Sequence, residues 1–198
     1  MLMMVMAVLL AAAEPTAAAV EPMATVGPTA TVKGAVDQVF AGPDGSAVKK
    51  VSTAERRADI RKVAENLFDF PEMSRRSLGP TWDTVSPAEK QEFIRLFTNL
   101  IANSYMGKIE QYTGEPIRYE SEQVDGSEAS VLSRVVTPKG AEIGIEYRLF
   151  RGDDRWAVYD VRVDGISLVN SYKAQFNRLL QRGSFAELLK QLRQKAGS

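Results

Sequence analysis

The carboxylate best placed to do chemistry in this sequence is Asp160, set between Tyr159 and Val161 with Arg148 and Arg162 nearby in the pattern. Two roles are open to it: a general base acting on an apolar substrate, or a structural ion pair on the outer face of a sheet. No second titratable group at motif spacing accompanies it. Histidine and cysteine are both absent. That excludes Ser-His-Asp and Cys-His catalysis, the common zinc sites and any disulfide framework. A carboxylate-only metal site would need clustered acids, and no such motif is present. The remaining candidates are cationic. Arg75 and Arg76 follow Met73. Lys173, Arg178, Arg182, Lys190, Arg193 and Lys195 face only Glu187 near the C-terminus. Such charges suit anionic headgroups or an acidic partner surface, and equally a solvated helix face.

Asp160 must be positioned by a strand pair. Ile143, Ile145, Tyr147 and Leu149 alternate with polar residues at period two. The turn residues Gly152-Asp153-Asp154 follow, then a strand from Trp156 to Val163. Pairing Ile143 with Val163, Ile145 with Val161 and Tyr147 with Tyr159 keeps one face apolar, because a one-residue slip would reverse every side chain. This register puts Ala157, Tyr159, Val161 and Val163 beside Ile145, Tyr147 and Leu149, and turns Asp160 away. Asp164-Gly165 then leads into a helix bearing Leu168, Tyr172, Phe176 and Leu179.

Upstream, helices precede strands. One helix is expected from Pro28 or Thr29 to Phe40, stopped by Gly42-Pro43-Asp44-Gly45. A second begins at Ser52 with a Ser52/Glu55 capping box and buries Ile60, Val63, Leu67 and Phe68. A short one runs from Pro71 to Leu78 and closes at Gly79-Pro80. The best specified has Ser86 as cap, Pro87 at its first position and Glu89 completing the box. Its stripe is Phe93, Phe97, Leu100, Ile101, Tyr105, Ile109 and Tyr112, with Gly107 as a kink or junction. Strands follow at Ile117–Val124 and Ala129–Thr137, joined at Asp125-Gly126. Ser184 and Glu187 open a last helix that docks through Leu188, Leu189 and Leu192. The whole reads as one α+β domain: N-terminal helices, a four-stranded antiparallel sheet and C-terminal helices enclosing an apolar pocket. The register points the sheet face toward the Phe93, Phe97 and Leu100 stripe.

The 25 basic and 25 acidic residues cancel, and no basic motif points to nucleic acid. Met1 to Ala13 is almost wholly apolar, too short to span a membrane at about 20 residues. With the Ala-rich stretch after it, this fits a secretory signal over residues 1–19, although no Lys or Arg precedes the apolar run. Residues 20–28 read as a leader and 29–195 as the single domain.

The run from Trp156 to Phe176, WAVYDVRVDGISLVNSYKAQF, resembles the MlaC family of periplasmic phospholipid-binding proteins, auxiliary to ABC transport and also described as toluene-tolerance proteins. The resemblance continues through Phe68-Asp-Phe-Pro-Glu-Met73 and Leu78-Gly-Pro-Thr-Trp82, and covers about Thr29 to Lys195. It implies a carrier, not an enzyme, with phospholipid as cargo and no cofactor or metal. It implies a periplasmic, monomeric shuttle. The implied partners are an outer-membrane lipoprotein complex and the substrate-binding ring of an inner-membrane ABC transporter, met transiently near each membrane to maintain outer-membrane lipid asymmetry. It also implies that the apolar face and stripe line the lipid site: Phe93, Phe97, Leu100, Ile101, Tyr105, Ile145, Tyr147, Leu149, Tyr159, Val161, Val163 and Tyr172. Such a slot answers a physical need. Roughly 30 methylenes at about 0.8 kcal/mol each make bare aqueous transit of a phospholipid cost on the order of 20 kcal/mol. A hopanoid carrier and a small cone-shaped enzyme on an apolar substrate are the alternatives.

Overall fold

The computed structural model describes residues 26–41, 53–112, 115–137, 139–152 and 155–196. The expected signal and leader up to residue 25, the helix stop at 42–45, the Ser52 cap and the turn at 153–154 lie outside the described residues. Four helices come first: α1 (Pro28–Ala41), α2 (Thr53–Leu67), α3 (Phe70–Leu78) and α4 (Pro87–Glu110), with a 3-10 turn Gly79–Thr84 between the last two. Then come β1 (Ile117–Asp125), β2 (Glu128–Val136), β3 (Glu142–Gly152), β4 (Arg155–Val163) and β5 (Ile166–Ser167), and finally α5 (Leu168–Leu180) and α6 (Phe185–Ala196).

The sheet is an antiparallel meander in sequence order, β1-β2-β3-β4-β5. It has five strands where the sequence suggested four. The extra one is two residues long, too short for a period to show. Asp164 and Gly165, both left-handed at φ 47° and 81°, form the tight turn that folds β5 back on β4. Asp164 is a residue type that tolerates this conformation.

Local chemistry fixes the helix starts. Ser86 accepts a hydrogen bond from the Glu89 N–H, and the Glu89 carboxylate accepts from the Ser86 N–H, the complete box expected for α4. α4 runs unbroken through Gly107, without the junction considered from sequence. α3 starts at Phe70 rather than Pro71, because Asp69 caps it through the Glu72 N–H at 2.8 Å. For α6, the Ser184 hydroxyl accepts from the Glu187 N–H at 3.3 Å.

The apolar interior is divided into two clusters. The first joins α3, α4, α5 and α6 around Phe93, Phe97, Met73, Leu78, Val169, Phe176 and Leu188. The second lies on one face of the sheet, where Ala129, Val131, Leu149, Trp156 and Val158 meet Val32 of α1 and Leu67 of α2. Phe68 packs against both. It is held there because Phe68 bridges to Val158 and the Asp69 N–H donates to the Val158 carbonyl at 2.9 Å. The expectation that the sheet face looks onto the Phe93, Phe97 and Leu100 stripe is therefore corrected. α1 and α2 cover that face, while α4 packs against α3 and α6.

Candidate functional site

The register of β3 and β4 decides which side chains share a surface. Ile145 pairs with Val163 and Tyr147 with Val161, two residues away from the expected pairing. A two-residue offset preserves faces, so these four remain together. Between Asp160 and Val158 the ladder carries a bulge: Arg148 opposes Asp160, but Leu149 opposes Val158. Two β4 residues then face one on β3, and the alternation reverses beyond that point. Trp156 and Val158 join the apolar face in place of Ala157 and Tyr159. Tyr159 lies on the opposite side, under Arg76 with the guanidinium 3.8 Å from its ring centre and beside Phe150. Nothing in the binary pattern marks this bulge, since Ala157, Val158 and Tyr159 would each suit a buried face.

The residues implied as a lipid lining therefore occupy three places. Phe93, Phe97 and Ile101 belong to the helical cluster, with Leu100, Tyr105 and Tyr172 packed at its margin. Phe93 and Phe97 are stacked at 5.6 Å, both meet Phe176 edge-on at 5.4 Å, and Phe97 meets Tyr172 edge-on at 5.0 Å. Both phenylalanines are fully buried, so this part is filled. A groove of ≈ 270 Å³ borders it, lined by Leu100, Tyr172, Phe176 and Leu188 among others. Ile145, Tyr147, Leu149 and Val161 form the sheet face. Leu149 is fully buried there, and the other three are half-buried. Val163 lies at its rim, 41% exposed.

α1 closes over this face with partial cover. Val32 is completely buried, whereas Ala35, Val36 and Phe40 are half-buried. The Thr29 N–H donates to Glu122 at 2.7 Å and ties the helix start to β1. The Phe40 ring lies 3.9 Å from that of Tyr112. Between them runs a groove of ≈ 310 Å³ lined by Lys33, Val36, Asp37, Phe40, Tyr112, Ile117 and Tyr119. Lys33, the one cation among its described lining residues, pairs with Asp37 at 2.6 Å.

Three phenols gather on this side. The Tyr112 hydroxyl donates to the Glu115 carbonyl. Burial raises the Tyr147 pKa and the Ser133 hydroxyl opposes that rise; Ser133 itself donates to the Ile145 carbonyl at 3.3 Å. Tyr119 has a buried hydroxyl with no partner among the described residues. Burial pushes the Tyr119 phenol well above its ordinary pKa, reinforced by Tyr147, Asp37 and Tyr112. Sequence reasoning passed over Tyr119; its alternation with Arg118 and Glu120 was the available signal.

The other face of the sheet is polar. A cleft of ≈ 610 Å³ lies between β3, β4, α3 and α5, lined by Arg75, Arg76, Arg148, Arg162 and Lys173 with Asp83, Glu128 and Asp160. Most of these charges are matched. Arg75 and Arg76 both pair with Glu72, at 2.6 and 2.7 Å, and Arg162 with Glu146 at 3.4 Å. Asp160 is on the expected face opposite Arg148, but it makes no ion pair there. One oxygen accepts from the Ser167 hydroxyl at 2.6 Å and the other from the Val169 N–H at 3.0 Å. It fastens the first turn of α5 to β4. A carboxylate with both oxygens so engaged, 6% exposed, is a structural anchor. The C-terminal cations are also partly matched, Arg193 with Glu92 at 2.8 Å and Lys190 with Glu187 at 3.7 Å. Among the described residues no cluster of three or more acids could hold a metal, and no helix is long and apolar enough to cross a membrane.

The domain is α+β, with a half-covered apolar sheet face beneath α1 and a separately packed helical bundle beside it. The family model for the MlaC protein matches residues 33–194, and the chain belongs to that family. A solved structure from Ralstonia solanacearum, described as a phospholipid-binding protein in complex with a phospholipid, superposes with a TM-score of 0.74. It is 24% identical, and the match covers 85% of this chain and 96% of that one, so the fold is shared over nearly its full length.

Proposed function

We propose that this protein is a lipid carrier that takes glycerophospholipid acyl chains against the apolar sheet face, beneath α1. The supporting observation is that Ile145, Tyr147 and Val161 stay half-buried on that face, while Phe93 and Phe97 at the centre of the helical bundle are fully buried. Apolar surface left uncovered at a groove marks a binding place more than a core. The phospholipid complex of the Ralstonia protein supports the cargo, since the two share a fold. Export through the Met1–Ala13 segment would place the chain between two membranes. There its partners would be an outer-membrane lipoprotein complex and the ring of an inner-membrane ABC transporter. The Asp160 carboxylate is spent on α5, which speaks against a carboxylate-driven isomerase.

The test is native mass spectrometry of the exported protein followed by lipid extraction. Phospholipid at about one molecule per chain is expected. Polycyclic hydrocarbon in place of phosphorus would move the cargo to hopanoids. Val161→Trp fills the face and is expected to give folded protein without lipid, whereas Arg162→Glu, one residue away and on the opposite face, keeps it. Lipid retained by Val161→Trp and lost by Arg162→Glu would overturn the placement.

A further inference from the structure

We infer that the Tyr119 hydroxyl is a specificity-determining donor that recognises the ester carbonyl of an acyl chain lodged between α1 and the sheet; this rests on the carrier reading above. The sheet itself aims this phenol. Tyr119 opposes Ser133, but the next pair is Ser121 with Leu132, so Glu120 is the extra residue of a bulge. Bulges redirect the side chains beside them. The hydroxyl nearest by register, Ser133, is already committed to the Ile145 carbonyl. Tyr112 is committed to Glu115. Among the described residues, Tyr119 alone of the three has a buried hydroxyl recorded without a partner. A native fold rarely tolerates that, because an unmade buried hydrogen bond is costly.

The chemistry of the missing acceptor is constrained. Asp37 lines the same groove and is close enough to reinforce the rise in the Tyr119 pKa. Among the described lining residues the groove offers a phosphate no net positive charge, because Lys33 is paired with Asp37. A neutral acceptor within an otherwise apolar ligand fits. In a glycerophospholipid that is the ester carbonyl, at the junction of chain and glycerol. Alkyl ethers present a weaker acceptor at the same place, and hydrocarbon polycycles none.

The experiment compares two lipids of identical headgroup and chain length, a diester phosphatidylglycerol and its dialkyl ether analogue, binding to delipidated full-length protein. Wild type is expected to favour the ester by about tenfold, which corresponds to 1.4 kcal/mol. Tyr119→Phe is expected to bind both lipids alike, at the level of the ether in wild type. Its thermal midpoint without lipid should be unchanged or higher, since it removes a buried polar group. Tyr112→Phe, whose hydroxyl is engaged within the protein, should keep the preference. Equal binding of both lipids by wild type, or a preference that survives in Tyr119→Phe, overturns the inference and leaves the carrier standing. Binding of neither lipid by wild type overturns both.

Discussion

Asp160 shows how much a single carboxylate can do for the fold. It accepts from a hydroxyl and from a backbone N–H at the start of α5, and it is buried. Asp160→Ala strands both donors and should cost about 2–4 kcal/mol in urea unfolding. Asp160→Asn keeps one acceptor and should cost less, with lipid transfer by the folded fraction unaffected. Loss of transfer by a variant as stable as wild type would give this residue a role beyond folding. Glu72 is the second telling residue. Arg75, by hydrogen bonding, and Arg76 after it hold its carboxyl below the ordinary range, against the opposing pull of burial. A depressed folded pKa contributes stability that is present above the unfolded value, about 4.3, and is lost as pH falls through the folded one. Melting between pH 3 and 6 should fall more steeply in wild type than in Glu72→Gln. Parallel curves would mean the triad contributes nothing.

At the scale of elements, end signals were legible and sheet irregularities were not. Ser86, Pro87 and Glu89 announce α4 because capping is local chemistry written in adjacent residues. The apolar faces of β3 and β4 were legible as alternation, and the conserved parity of a two-residue offset kept Ile145, Tyr147, Val161 and Val163 together. The bulge in β4 was invisible, since Ala157, Val158 and Tyr159 would each suit a buried face. Its cost was to assign Tyr159 to the wrong side. The partition of apolar residues between two clusters was also hidden, because periodicity marks a buried stripe without naming what it packs against. Gly107 offers a further test of α4. It is exposed mid-helix, and a Cβ there would meet nothing within 4 Å. Gly107→Ala should therefore stabilise by about 0.5–1 kcal/mol. A destabilising result would mean that α4 is broken at this point in solution.

The whole molecule poses one choice, which of its two apolar compartments receives cargo. The bundle has the look of a scaffold. Phe93 and Phe97 are fully buried and ring-stacked, and Phe97→Ala should cost about 3–5 kcal/mol whether or not lipid is bound. The sheet compartment is held more lightly. α1 is tied to the sheet by Val32, by the Thr29–Glu122 hydrogen bond and by half-covered side chains. An outward movement of α1 from β1 and β2 would let a ligand larger than the ≈ 310 Å³ groove reach the sheet face. Elements with few buried contacts open at low free energy, and a ligand that fills the gap suppresses that opening. Hydrogen exchange should therefore be fast in Pro28–Ala41 without lipid and slowed about tenfold or more when lipid is bound, with β1 following. The amides of Pro87–Glu110 and Phe185–Ala196 should be protected equally in both states. Protection gained in α4 and α6 while α1 stays unchanged would move the cargo to the groove beside Leu100 and Tyr172, and make the sheet face the structural half of the molecule.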